Sequence, residues 1–150
     1  MKWAALVTWI ATAGFGFVLL AMWLARGGMR QARETGGRIR PPLILSHFGL
    51  AAAGLVLWIV YLAKDKDVLA WIAFGALAVV AVLGWTMFAI WARQRSARAT
   101  GPAPVPGSPA GGAASTPEQN FPVPVVALHG LLAVTTVVLV FLTAVGVGGS

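Results

Sequence analysis

The chain has 150 residues, 59% of them hydrophobic and 10% charged, with a formal net charge of +7 and no cysteine. So little charge on so apolar a chain excludes a soluble enzyme or a free nucleic-acid-binding domain. The absence of cysteine excludes disulfides, thiolate metal sites, iron–sulfur clusters and covalent c-type haem attachment.

All eleven basic and four acidic residues fall outside four apolar stretches, 3–25, 43–63, 68–92 and 123–147. Each reaches or exceeds the roughly 20 residues that cross a bilayer as a helix. Strands of a membrane barrel would instead alternate in polarity over about ten residues. The predicted fold class is therefore all-α, a polytopic membrane protein with a four-helix bundle as its single domain. The first stretch exceeds the roughly 7–15 apolar residues of a cleavable signal and runs into arginines instead of a small-residue cleavage site, so it is read as a permanent helix.

Between the first and second helices lie Arg26, Arg30, Arg33, Arg38 and Arg40 against the single acid Glu34. The second connection is four residues long, and Lys64 and Lys66 are balanced there by Asp65 and Asp67. Arg93, Arg95 and Arg98 follow the third helix, so eight of the eleven basic residues fall on one side. By the positive-inside rule the two Arg-rich loops face the cytoplasm and both termini face outward. The Ala, Gly and Arg preference suits a GC-rich bacterial source, and the expected location is a bacterial plasma membrane. Residues 100–121, rich in Pro, Ala, Gly and Ser with Glu118 as the one charge, read as a flexible linker to the fourth helix.

A weak internal repeat is present. At an offset of 82, Pro42, His47, Leu50, Ala51, Val56 and Leu57 correspond to Pro124, His129, Leu132, Ala133, Val138 and Leu139. At an offset of 68, Trp3, Ala5, Gly16, Ala21 and Trp23 correspond to Trp71, Ala73, Gly84, Ala89 and Trp91. A two-helix repeat keeps its direction through the membrane, so the bundle is expected to consist of two parallel helix-pair repeats. The tryptophans, twenty residues apart on each odd-numbered span, suit the two interfacial belts.

The chain has two histidines, both inside apolar stretches and in register in the repeat. Each follows its proline by five residues, which places both imidazoles about 7–8 Å into the bundle from the Arg-rich side. Ionisable residues in a span usually face the bundle interior and serve function. Two ligands are too few for zinc, and no further acids or histidines continue a proton path across the core. A planar iron porphyrin does take two axial nitrogens from opposite sides, so His47 and His129 are the candidate metal ligands of one haem b. On the same faces Ala51, Gly54, Ala133 and Thr136 are small residues that leave room for a macrocycle. Gly49 and Gly130 adjoin the ligands and are candidates for close backbone approach, and Arg38 and Arg40 for pairing with haem propionates.

On His47, His129, the small residues around them and the helix count, the chain resembles the small four-helix b-type membrane cytochromes. That resemblance implies haem b held between two helices and electron transfer within a membrane complex. Such cytochromes often carry four histidines or quinone-site polar residues, which this sequence lacks, so one haem is expected. Two filled axial positions favour electron transfer over oxygen activation, and no catalytic residue or independent enzyme activity is expected.

The alternative reading is a cofactor-free accessory or assembly subunit whose histidines serve as interhelical contacts. A transporter or channel component ranks third, because no helix is broken near mid-membrane and no charged substrate site is apparent. Expected partners are the lipid bilayer, a larger respiratory or redox complex, a quinone, and further copies of the chain packed through small residues. Nucleic acid is not expected.

Overall fold

In the computed structural model, which describes residues 1–35, 39–100 and 116–147, regular structure is entirely helical. Five α-helices follow in order: α1 (Lys2–Ala25), α2 (Gly28–Thr35), α3 (Pro41–Lys64), α4 (Asp67–Ala99) and α5 (Val123–Ala144). A short 3-10 turn, Pro117–Asn120, precedes α5. Helices α1, α3, α4 and α5 are long and apolar enough to cross a membrane. Large apolar side chains such as Val7, Phe17, Val56, Val82 and Leu131 point outward, each more than half exposed. A surface of that kind is suited to lipid.

Local chemistry sets the ends. Prolines occupy the first turns of α3 and α5, where a missing N–H costs nothing. Asp65 closes α3 in the left-handed region at φ 50°, its N–H bonded to the Tyr61 carbonyl at 2.8 Å, and Asp67 already opens α4. Gly146 at φ 82° ends α5, with the Val147 N–H reaching back to Leu142 at 2.9 Å. Helix α4 runs seven residues past the apolar stretch read as 68–92 and carries all three of its arginines in that extension.

The four long helices form a square. Extensive contacts run α1 with α5 and α3 with α4, completed by α4 with α5 and α1 with α3, so α3 and α5 stand at opposite corners. The Lys2–Asp65 ion pair at 2.8 Å puts the start of α1 beside the α3–α4 hairpin. At the other end Arg26 Nη1 donates to the Asn120 carbonyl at 3.1 Å, tying the end of α1 to the segment before α5.

The region read as linker is partly structured. Residues 101–115 lie outside the described residues, but Thr116 to Phe121 are not free chain. Gln94 Nε2 donates to the buried carboxylate of Glu118 at 3.3 Å, and Thr116 Oγ1 donates to Gln94 Oε1 at 3.1 Å. Polar partners on α4 hold this segment where apolar burial could not.

The buried core clusters toward the Lys2–Asp65 end: Ala5 and Trp9 on α1, Trp58 and Tyr61 on α3, Ala70, Ala73 and Leu77 on α4, Val140 on α5. Trp3 and Trp71 are exposed there, as interfacial anchors would be. Their counterparts at the Arg-rich end differ from the belt expectation, because Trp23 and Trp91 are buried.

Candidate functional site

His47 and His129 are each the seventh residue of their helix, and those helices begin at the same end of the bundle. From opposite corners of the square their side chains converge, with ring centroids 6.3 Å apart and ring planes inclined at 61°.

Each ring is fixed by the neighbouring helix. His47 Nδ1 lies 3.0 Å from the Val80 carbonyl on α4, and His129 Nδ1 lies 3.0 Å from the Thr12 carbonyl on α1. A carbonyl only accepts, so each Nδ1 carries a hydrogen and each Nε2 keeps a lone pair unless further protonated. Neither Nε2 has a hydrogen-bond partner among the described residues.

Glycines make room for both rings. A Cβ on Gly16 would sit 3.0 Å from Cε1 of His129, and one on Gly84 would sit 3.1 Å from Cε1 of His47. In both cases the glycine lies one helical turn beyond the carbonyl that holds the ring, Thr12 to Gly16 and Val80 to Gly84. Thr12 also meets α5 through its side chain, its hydroxyl lying 3.2 Å from that of Thr136.

The layer around the histidines differs from the layers above and below. On α1 no residue between Trp9 and Trp23 is buried, and on α4 none between Val80 and Trp91. No residue of α3 before Gly54 is buried, nor any residue of α5 before Thr136. The unburied stretches are bounded by Trp9, Gly54, Val80 and Thr136 on one side and, on α1 and α4, by Trp23 and Trp91 on the other. Val80 and Trp91 are eleven residues apart, so the layer is about 16 Å tall at 1.5 Å per residue. A four-helix bundle normally buries one inward side chain per turn; here the inward positions are small or half-buried.

The other expected site residues separate by helical angle. Gly54 and Thr136 are buried and Ala51 and Ala133 half-buried, all on the inner face with the histidines. Gly49 and Gly130 are exposed, and nothing lies within 4 Å of where their Cβ atoms would be. Offsets of two residues and one residue from a histidine turn them about 200° and 100° away from it. Arg40 is exposed at the start of α3, and Arg38 lies outside the described residues.

The close contacts fall instead to Gly16 and Gly84, and the ring acceptors to Thr12 and Val80. The two glycines corresponded at the offset of 68, but nothing in the spacing says which helix each histidine leans on. Among the described residues no three of His, Cys, Asp or Glu come together in a metal-binding group. Comparison with protein-family models, with curated proteins and with solved structures finds no match.

Proposed function

We propose that the chain is a membrane-embedded, haem-bearing electron-transfer subunit in which His47 and His129 bind one haem b. The supporting observation is the 6.3 Å separation of two imidazole centroids whose Nδ1 atoms are both engaged by backbone carbonyls. Metal–nitrogen bonds of about 2.0–2.1 Å on either side of one ion put two ring centroids about 6–6.5 Å apart. A carbonyl acceptor on the second nitrogen is the usual way a protein orients a ligating histidine. The interrupted burial around the rings fits a layer completed by a flat apolar group, and Gly16 and Gly84 fit helices drawn close against the ligand rings.

Bound haem would supply a one-electron couple. The chain's contribution is to hold both imidazoles in the Nδ1–H tautomer, to exclude water with Trp23 and Trp91 on one side and the Trp9–Trp58 core on the other, and to fill the bundle's interior with apolar walls. Held by His47 and His129 together, such a group would favour outer-sphere electron transfer to a partner in a larger redox complex or to a quinone.

The duplication reading gains support from burial. At the offset of 68, Ala5, Trp9 and Trp23 pair with Ala73, Leu77 and Trp91, all buried; at 82, Gly54 and Trp58 pair with Thr136 and Val140, also buried. Thr12 and Val80, whose carbonyls hold the two rings, correspond at 68 as well. We read this as two parallel helix pairs related by a pseudo-two-fold axis along the membrane normal. The arginines at one end and the balanced Lys–Asp hairpin at the other favour a plasma-membrane protein with both termini outside.

The same two hydrogen bonds favour one competing reading, a cofactor-free accessory subunit. Each histidine has a partner on a neighbouring helix and could persist as an interhelical contact, worth roughly 0.6 kcal/mol on average. Haem stoichiometry separates the two. One haem per purified full-length chain, lost in both His47→Ala and His129→Ala, is the expected result. A folded chain that takes up no haem under reconstitution supports the accessory reading instead.

A further inference from the structure

The Arg-rich end holds a second feature, which shares Trp91 with the boundary of the histidine layer. A cleft of about 300 Å³ lies between the C-terminal part of α4 and the 3-10 turn, lined by Trp91, Arg95, Arg98, Ala99 and Gln119. We propose that this cleft binds one phosphate group, supplied by the headgroup of an anionic lipid in the adjoining leaflet.

Charge is the first argument. Arg95 and Arg98 have no carboxylate within ion-pair distance among the described residues. The nearby acid Glu118 is buried, does not line the cleft, and accepts a hydrogen bond from Gln94. The guanidinium of Arg95 stands 5.8 Å from the Trp91 ring centroid, which holds it as a cation over the ring while its N–H groups stay available. Arg98 Nη2 donates to Gln119 Oε1, which orients the second guanidinium.

Trp91 itself is the second argument. Only 7% of it is exposed, and its indole N–H is the one buried side-chain polar atom without a hydrogen-bond partner among the described residues. Buried donors are normally satisfied, and an anion in this cleft would bring acceptor oxygens to that wall.

Depth and surroundings favour a lipid as the source. Trp91 lies 24 residues beyond the start of α4, about 36 Å along the helix and past a hydrocarbon core of about 30 Å. The cleft is thus at headgroup level. Phe88, 43% exposed and 5.8 Å from Trp91 between ring centroids, begins an apolar track toward Trp85 along which an acyl chain can lie.

The test is native mass spectrometry of the full chain in detergent, titrated with phosphatidylglycerol or phosphatidylcholine, with inorganic phosphate as competitor. The expected result is one saturable phosphatidylglycerol adduct, at least tenfold tighter than with phosphatidylcholine. It should weaken at least tenfold in the Arg95→Gln/Arg98→Gln variant and severalfold in Trp91→Phe. An Arg30→Gln/Arg33→Gln variant removes the same charge from α2 and should bind like the parent, with circular dichroism confirming helicity in each case. Displacement of the lipid adduct by millimolar phosphate, with the same arginine dependence, shows that the site reads the phosphate; an arginine-dependent phosphate adduct without any phosphatidylglycerol adduct overturns the lipid assignment. Equal binding of both lipids, or equal loss in the two double variants, overturns the proposal.

Discussion

Gly16 and His129 are in contact across α1 and α5, and a Cβ on the glycine would lie 3.0 Å from Cε1 of the ring. Gly84 and His47 repeat the relationship at 3.1 Å. Gly16→Val is expected to push His129 off its Thr12 acceptor, at a cost of about 1–3 kcal/mol as overpacking, and to lower haem occupancy severalfold. Gly14→Val is the control, because nothing lies within 4 Å of its Cβ position. Thermal unfolding of both variants in detergent checks the difference, and equal stability with equal haem content contradicts it.

Gly28 opens α2 directly against Trp23, and an added Cβ would clash with Cε2 of that buried ring. Trp23 is buried, so the ring has little room to give way. Gly28→Ala is expected to destabilise the protein by about 1–3 kcal/mol and to expose Trp23, read as a red shift in tryptophan emission. An unshifted spectrum and unchanged unfolding would refute this packing.

Thr12 and Thr136 face each other at 3.2 Å, but each hydroxyl also donates to its own helix, to Thr8 at 2.7 Å and Leu132 at 2.8 Å. One hydrogen per hydroxyl cannot serve both partners. Thr136→Val therefore costs little, below about 1 kcal/mol, in line with polar contacts in membrane bundles. Loss of several kcal/mol in a chemical or detergent unfolding series would assign the pair a larger role.

Glu118 is 2% exposed, and its carboxylate accepts from Gln94, which also accepts from Thr116. Glu118→Gln keeps an acceptor oxygen and is expected to preserve the docked turn. Glu118→Ala leaves Gln94 Nε2 buried without its acceptor and is expected to cost about 1–3 kcal/mol. Limited proteolysis between Thr116 and Phe121 reads the outcome: rapid cleavage in Glu118→Ala alone is the predicted pattern.

Much of the bundle was legible in advance because lipid-spanning helices announce themselves as long apolar runs. The ends were less so. Arg93, Arg95 and Arg98 closed the apolar run, yet arginine is a good helix former, so α4 continues to Ala99. Helix α2 is eight residues long and mostly polar, too short for its amphipathic pattern to stand out. His47 and His129 were found by rarity and register, and Gly54 and Thr136 by their sevenfold spacing from them. Gly49 and Gly130 were singled out by adjacency in sequence, whereas Gly16 and Gly84 touch the rings from other helices. Pairing between helices is set by how four apolar surfaces pack together, which spacing along one chain does not encode.

On the proposed reading, His47 and His129 hold one haem b between them. A reduced-minus-oxidised visible spectrum of the detergent-purified protein, taken beside His47→Ala and His129→Ala, decides the matter. The parent chain is expected to give a sharp low-spin b-type spectrum, lost or converted to another spin state in each variant. A folded parent chain that stays colourless after haem reconstitution, or a b-type spectrum that survives both substitutions, would contradict it.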